Sequence, residues 1–232
     1  MVSSPSRTVR TYSVRNRPLS PTLQADYERL YPCKGIEFTG ELIDPESLFM
    51  DVTGVIVEVG SGMGGATVRM AAENPGLGFI ALEVFRPGVA KLLRKIESLG
   101  LANIRVCEHD AVEFIRDMIP EESLAGFHIF FPDPWPKRRH HKRRLIQPPF
   151  ARLMAARLRP GGYVCTATDV EDYAEQILQV LEGTPGLKNA YTGFAPVIPW
   201  RPLTRFEKKG LRKSHPVREC LFYKKPHLSQ DH

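Results

Sequence analysis

The sequence lacks any long apolar run. Hydrophobic residues make up 42% of its 232 positions, but they occur in short stretches that charged residues interrupt. The stretch at residues 54–59 is among the longest, and it falls far below the roughly 20 apolar residues that a membrane-spanning helix needs. No apolar segment follows the N-terminal arginines, as a secretory signal would require. We therefore expect a cytoplasmic protein that is not inserted in a membrane.

Cysteine is scarce and scattered. The four cysteines, Cys33, Cys107, Cys165 and Cys220, lie far apart along the chain. Cys107 and Cys165 fall inside apolar stretches, where a small buried thiol is ordinary. The spacing favours neither a disulfide framework nor a zinc site. We expect no bound metal.

Carboxylates are absent from residues 137–144, whose sequence is KRRHHKRR. This basic run holds six Lys and Arg side chains, and since the formal net charge is +6, the rest of the chain is neutral. Like charges at this density repel each other unless a polyanion neutralises them, so the run indicates a nucleic-acid partner. Its two histidines, His140 and His141, have no further metal ligand nearby, which favours phosphate or solvent contact.

The chain divides into a short arm and one domain. Residues 1–21 contain four Arg and three Pro without a hydrophobic period, which predicts a basic N-terminal arm, and residues 22–232 are expected to form a single domain. From residue 54 onward strand and helix patterns alternate. The predicted strands cover residues 54–60, 78–84, 103–110, 126–133 and 161–169, and the predicted helices cover residues 66–74, 87–100, 111–119 and 147–158. Buried strands joined by helices predict an α/β fold with a doubly wound, mostly parallel sheet.

An acidic residue lies at or just after the end of each predicted strand. In strand order these residues are Glu58, Glu83, Asp110, Asp133 and Asp169. Ligands of doubly wound sheets bind beyond the carboxyl ends of the strands, where the strand order reverses. We therefore expect the five carboxylates to line one rim of the sheet.

The turn after the first predicted strand is rich in glycine. Gly60 and Gly62 permit a tight turn and let a ligand approach the backbone. Together with Gly65 they complete the pattern G-x-G-x-x-G, and Glu83 follows about twenty residues on, as a dinucleotide site requires. The glycines alone therefore leave more than one cofactor open.

The neighbouring acids distinguish two kinds of cofactor. A carboxylate at Glu83 accepts hydrogen bonds from the ribose of either. NAD(P) carries a negative pyrophosphate, whereas S-adenosylmethionine carries a sulfonium and an ammonium group, which carboxylates attract. Glu58 and Asp133 therefore favour S-adenosylmethionine, and Asp110 is a candidate acceptor for the adenine amino group.

Three features together carry a resemblance to a known family. They are the pattern E-x-G-x-G-x-G that starts at Glu58, the later Glu83, and residues 130–137 with the sequence FFPDPWPK. With them the chain resembles the tRNA (guanine-N(7)-)-methyltransferase family. The similarity extends over most of the chain, from Arg10 in the arm to Glu207, although Pro18 and Pro21 make the arm depart from the family pattern.

The resemblance implies a Rossmann-like fold, a reaction and a set of site residues. It implies transfer of a methyl group from S-adenosylmethionine to N(7) of a guanine in tRNA, without an obligatory protein partner and as a monomer or a homodimer. The implied cofactor contacts are Glu58, Gly60, Gly62, Glu83, Asp110 and Asp133, and Asp133 is also the implied catalytic residue. The implied substrate contacts are Lys137, Asp169, Thr204, Arg205, Phe206 and Glu207, and the implied RNA contacts are Arg139, Lys142, Arg143 and Arg144.

Two side chains keep a second interpretation. Trp135 is a candidate to stack on a flipped-out base, as aromatic side chains do in single-strand binders, and it is equally a candidate hydrophobic plug at the sheet edge. Glu207 is a candidate substrate contact, and it is also a candidate for a surface salt bridge with Arg205 or Lys208.

Three other functions are also compatible with parts of the sequence. Residues 132–135, PDPW, are partly similar to the D-P-P-Y loop of methyltransferases that act on an exocyclic amine, but here a single proline separates the aspartate from the aromatic residue. A non-catalytic RNA-binding protein would keep the basic run without needing the cofactor carboxylates. An NAD(P) oxidoreductase is favoured by the glycine pattern alone.

Overall fold

The computed structural model describes residues 11–12, 18–203, 207 and 216–226. Its seven strands are β1 (Val55–Val59), β2 (Gly78–Leu82), β3 (Ile104–Cys107), β4 (Leu124–Phe130), β5 (Leu158–Thr168), β6 (Leu187–Asn189) and β7 (Arg218–Lys224). They form one sheet in the order β3-β2-β1-β4-β5-β7-β6. Strands β1 to β5 run parallel to one another, and β7 runs antiparallel between β5 and β6. The predicted doubly wound, mostly parallel α/β fold is confirmed.

In the described part of the chain, six α-helices cover the two faces of the sheet. They are α1 (Pro21–Lys34), α2 (Gly65–Glu73), α3 (Arg86–Ser98), α4 (Ala111–Asp117), α5 (Pro148–Arg157) and α6 (Glu171–Glu182). The first three bury their apolar residues in one core cluster and the last three in another. None of the helices in the described part of the chain has the length and apolarity to cross a membrane.

The central strands supply both cores because successive side chains point to opposite faces. In β1, Val55, Val57 and Val59 belong to the cluster with α4 to α6, whereas Ile56 belongs to the cluster with α1 to α3. All five residues of β1 are buried. A strand buried on both faces has no polar alternation, which is why its sequence is a nearly continuous apolar run.

The strand order reverses at β1, which lies between β2 and β4. The carboxyl ends of these three strands therefore open into the crevice where doubly wound folds bind ligands. The division of the chain into an arm at residues 1–21 and a domain at residues 22–232 stays a prediction. The helix α1 begins at Pro21, one residue inside the predicted arm.

Candidate active site

The glycine turn joins β1 to α2. Gly60 and Gly62 have φ angles of 74° and 57°, in the left-handed region that favours glycine. A Cβ added to either would meet nothing within 4 Å, so both present bare backbone to open space. The backbone N–H groups of Gly60 and Ser61 donate to the Leu82 carbonyl at 2.9 and 3.2 Å, which fixes the turn against the end of β2.

Glu83, directly after β2, holds this turn in place. Its Oε2 accepts from the Gly62 N–H at 2.6 Å, and its Oε1 accepts from the N–H groups of Val84 and Phe85, both at 2.9 Å. Burial raises the pKa of Glu83, while the three backbone donors act in the opposite direction by stabilising the carboxylate. Asp133 lies close enough for its charge to raise that pKa further. The turn and the second strand end are thus one hydrogen-bonded unit.

Glu58 lies in β1 and is almost wholly buried, at 3% exposure. Its Oε2 accepts from the Thr67 hydroxyl on α2 at 2.5 Å, and burial raises the pKa of Glu58 to about 7. Glu58 is not among the residues that line the neighbouring cavity. The expected cofactor contact of Glu58 therefore stays a prediction. In the structure, the Glu58 carboxylate links β1 to α2 through its hydrogen bond with Thr67.

Asp110 caps the N-terminus of α4. Its Oδ1 accepts from the N–H groups of Val112 and Glu113 at 2.8 and 3.0 Å, as a good N-cap residue does. Both hydrogen bonds go to Oδ1, so Oδ2 accepts from neither of these two N–H groups. The preceding residue, His109, stacks on Phe38 with ring centroids 3.7 Å apart, and His109 also lines the cavity.

A cavity of ≈ 550 Å³ lies at the carboxyl ends of β1 to β4. Three of the five expected carboxylates line it, namely Glu83, Asp110 and Asp133, and Asp169 does not. Much of the wall is apolar and comes from Val59, Leu82, Val84, Phe85, Ala111, Val112, Phe130, Phe131, Pro132 and Leu145. Among the described lining residues there is no Lys or Arg. The cavity has the size of a small-molecule site and a field that favours a cation.

The loop after β4 carries Asp133 in a strained backbone. Phe131 and Trp135, on either side of residues 132–134, have φ angles of 53° and 45°. A non-glycine residue in this region costs about 1–3 kcal/mol and persists only where its surroundings hold it. The side chain of Asp133 is exposed at the mouth of the cavity. We call residues 131–135 the Asp133 loop.

Two groups hold Trp135 at the end of the Asp133 loop. Its indole N–H donates to the Thr11 carbonyl at 2.9 Å, and the Arg143 guanidinium lies 3.7 Å from the ring centroid. The edge-on ring of His140 is 5.9 Å away. One face of the indole is therefore covered by Arg143, which leaves only the other face for stacking on a base.

The basic run forms a 3₁₀ turn at Arg138–Arg143 and divides into two groups. Lys137, Arg139 and Lys142 are exposed, as phosphate contacts must be. Arg144 is buried, with a side-chain exposure of 1%. Its guanidinium is enclosed by protein, so the burial disfavours the expected RNA contact of Arg144, which stays a prediction.

The C-terminal candidates lie in a different setting. Thr204, Arg205 and Phe206 are outside the described residues. Glu207 is buried, and its two oxygens accept from the two terminal nitrogens of Arg201, each at 2.8 Å. Glu219 on β7 accepts from Arg201 as well and from the Ile198 N–H at 3.1 Å. Glu207 is thus in a buried ion pair, not in the surface salt bridge that was the second interpretation.

Sequence reasoning missed Arg201, Glu219 and Thr67. Arg201 and Glu219 are 18 positions apart, and neither falls in a pattern that marks a site. Thr67 is the eighth residue after Val59 in the helix that follows the turn, and nothing in its sequence context indicates that it bonds Glu58. Burial and pairing of this kind become visible only when the strands are placed side by side.

Comparisons with known proteins agree with this geometry. The family described as "Putative methyltransferase" matches residues 53–220, a stretch that runs from β1 into β7. A tRNA (guanine-N(7)-)-methyltransferase of Nitrosospira multiformis is 48% identical over 222 residues, which are 96% of this chain and 97% of the relative. The protein of the same name from Nitrosomonas eutropha is 47% identical over 93% of this chain and 96% of its own length. The chain belongs to the tRNA (guanine-N(7)-)-methyltransferase family.

Membership of this family makes the chain a methyltransferase and removes the support for an NAD(P) oxidoreductase. Solved structures share the fold: the 16S rRNA methyltransferase KamB has a TM-score of 0.58 at 20% identity, covering 80% of this chain and 95% of that one. TrmN from Thermus thermophilus has a TM-score of 0.54 at 15% identity, covering 88% of this chain and 48% of that one. The family predicted from the sequence is confirmed by these matches over nearly the whole chain.

Proposed function

We propose that this chain transfers the methyl group of S-adenosylmethionine to N(7) of a guanine in tRNA, giving 7-methylguanosine. The observation that carries the proposal is the carboxylate-lined cavity at the ends of β1 to β4, with Asp133 at its mouth and the exposed cations of the basic run close by in sequence. Relatives at 46–48% identity bear the name of this activity.

The residues of the cavity fit S-adenosylmethionine. A carboxylate can accept about four hydrogen bonds. Glu83 accepts three from backbone N–H groups, so about one acceptor position is left for a ribose hydroxyl. Asp110 directs one oxygen at the α4 backbone, and its second oxygen is the candidate acceptor for the adenine amino group. Open space beside Gly60 and Gly62 would accept the amino-acid part against bare backbone.

The sulfonium supplies an electrophilic methyl group, and the protein's part is positioning and charge stabilisation. Guanine N(7) has an in-plane lone pair at neutral pH, so no residue has to act as a general base. The Asp133 loop would orient the base at the mouth of the cavity, where correct alignment of reacting atoms is worth roughly 7–11 kcal/mol in model systems. The Asp133 carboxylate would stabilise the positive charge that develops on the purine.

The tRNA would bind across the exposed part of the basic run. Lys137, Arg139 and Lys142 are the candidate phosphate contacts, which supply affinity and register but no base specificity. Arg143 belongs to this group in sequence, but its guanidinium covers Trp135. Asp169, Thr204, Arg205 and Phe206 stay proposed substrate contacts on the strength of the family pattern. A cytoplasmic location and action as a monomer or a homodimer belong to the same proposal.

The identity of the methylated nucleoside tests the proposal. Purified protein is incubated with labelled S-adenosylmethionine and an unmodified tRNA transcript, and the RNA is digested to nucleosides. We expect 7-methylguanosine. A product methylated on an exocyclic amine would replace the reaction proposed here with that of the D-P-P-Y type, and retention of tRNA without any methylation would leave an RNA-binding protein.

A further inference from the structure

Arg144 differs from the other cations of the basic run in being enclosed by protein. Its side chain is 1% exposed, whereas Arg139, five positions earlier, is exposed. A guanidinium at this depth cannot reach an RNA phosphate while the 3₁₀ turn keeps its conformation.

The fork of Arg144 connects three separate segments. Its Nε donates to the Pro134 carbonyl at 2.9 Å, inside the Asp133 loop. One terminal nitrogen donates to Gln176 Oε1 at 2.9 Å and the other to Asp172 Oδ2 at 2.6 Å, both on α6. The second terminal nitrogen also lies 3.2 Å from His141 Nε2 in the 3₁₀ turn. These directions match a planar guanidinium and not a lysine ammonium.

Residues of α6 compensate the burial of the Arg144 charge. Asp172 sits in the first turn of α6, is half exposed, and forms the ion pair with Arg144. The ring of Tyr173 lies 4.7 Å below the guanidinium. The ion pair with Asp172 and the packing on Tyr173 fix the position of Arg144. Because Arg144 also donates to the Pro134 carbonyl, it restrains the residue next to Asp133.

The Asp133 loop needs such a restraint because both of its ends have positive φ. Arg143 covers the Trp135 ring, and Arg144 binds the Pro134 carbonyl from the buried side. Two adjacent residues of the basic run, Arg143 and Arg144, thus contact two adjacent residues of the Asp133 loop, Trp135 and Pro134.

We propose that Arg144 is a positioning residue that holds the Asp133 carboxylate in its reactive orientation through Pro134, and that it is not an RNA contact. The inference rests on the proposed function, in which Asp133 stabilises the methylated purine. It assigns to the basic run a second task besides binding phosphates, namely fixing the loop that carries the catalytic side chain.

The test compares four single variants. Arg144→Lys keeps the charge and loses the fork, and Asp172→Asn loosens the anchor of Arg144 from its half-exposed side. Glu171→Gln is the matched control for Asp172→Asn, since it removes an exposed carboxylate from the same helical turn without touching Arg144. Arg139→Ala removes an exposed cation that is proposed to contact phosphate. For each variant kcat, KM for tRNA, the salt dependence of tRNA binding and the Kd of S-adenosylmethionine are measured.

A positioning role predicts a loss confined to kcat. In Arg144→Lys we expect kcat to fall ~100-fold, the scale of an ångström-sized misplacement, with cofactor Kd, tRNA KM and the salt slope unchanged. Asp172→Asn should show a smaller loss of the same kind and Glu171→Gln none. Arg139→Ala should instead raise KM and lower the salt slope. A lowered salt slope in Arg144→Lys, or equal kcat values in Asp172→Asn and Glu171→Gln, would overturn the proposal.

A second readout does not depend on the reaction. Trp135 and Trp200 are the two tryptophans of the chain, so in a Trp200→Phe background the fluorescence reports Trp135 alone. We expect acrylamide quenching of Trp135 to increase in Arg144→Lys and in Asp172→Asn, and to stay at the parent value in Glu171→Gln. If the parent protein methylates nothing, the proposed function fails while this measurement still decides whether Arg144 holds the loop. Identical quenching in all variants would show that it does not.

Discussion

Glu58 and Thr67 form a hydrogen bond of 2.5 Å in the interior of the protein, between the first strand and the first helix. The carboxyl group is almost wholly buried, and this burial raises its pKa to about 7. A buried carboxyl group behind a turn that is proposed to bind a cation makes both the stability and the ionisation of this site depend on pH.

The stability of the fold should decrease as the pH rises toward 7 because of Glu58. A carboxyl group whose pKa is higher in the folded state binds more protons when folded, so its contribution is present below about pH 4.5 and is lost between there and about pH 7. The shift corresponds to about 3 kcal/mol. We expect Glu58→Gln to gain stability relative to the parent protein as the pH is raised from 5 to 8, as measured by urea unfolding. Glu73→Gln, an exposed carboxylate on α2, should show no such trend, and a parallel trend in both would remove the role of Glu58.

Gly62 should be required for cofactor binding and not only for the turn. At a φ of 57°, Gly62→Ala should lower the free energy of unfolding by about 1–2 kcal/mol. Gly100→Ala is the matched control, because Gly100 has a φ of 62° and equally open space, and it lies after α3 away from the cavity. Calorimetric titration with S-adenosylmethionine should show weaker binding for Gly62→Ala alone. Equal affinities in the two variants would separate the turn from the cofactor site.

Asp133 should be required for turnover and dispensable for folding. Its side chain is exposed, so Asp133→Asn should leave the thermal midpoint unchanged while kcat falls ~100-fold or more, as when a charge-stabilising group is removed. Asp51→Asn is the control. Asp51 is an exposed aspartate that precedes β1, so it lies toward the amino ends of the strands and not at the carboxyl ends that line the cavity. Near-normal turnover of Asp133→Asn would remove Asp133 from the mechanism.

The exposed cations of the basic run should set the salt dependence of tRNA binding. Replacing Lys137, Arg139 and Lys142 together by alanine should weaken binding and flatten the plot of log affinity against log salt by about 0.7–0.9 units per lost phosphate contact. A second triple variant at Arg69, Arg116 and Lys188 changes the net charge equally outside the run and should leave the slope nearly intact. The same slope change in both would mean that net charge, and not this surface, binds the RNA.

The ion pair between Arg201 and Glu207 should stabilise the C-terminal part of the domain. Arg201→Met leaves two buried carboxylates without their cation, which should cost about 3–5 kcal/mol. Glu207→Gln keeps one partner, Glu219, and should cost less. Thermal unfolding measures both, and an unchanged midpoint for Arg201→Met would show that this ion pair does not stabilise the domain.

Sequence patterns alone were sufficient for the central fold and for the acidic rim of the cavity. Five of the seven strands could be predicted, because a strand buried on both faces is an apolar run bounded by turn residues, as β1 is. Glu83, Asp110 and Asp133 could be placed together because parallel strands end at one edge. The helices α1 and α6 and the strands β6 and β7 were not predicted; β7 pairs antiparallel with β5, and no local signal states that orientation.

The amino-acid sequence by itself determined the α/β class, the glycine turn, the carboxylates at the strand ends and the family, since these depend on residues near one another in the chain. Only the tertiary structure decided which members of a motif face solvent. Arg143 and Arg144 are adjacent in one basic run, yet Arg144 is buried and bonded to Pro134 and Asp172. Glu207 is likewise buried and bonded to Arg201. The reason is physical: burial and pairing depend on segments far apart in sequence, which meet only once the sheet and its helices have packed.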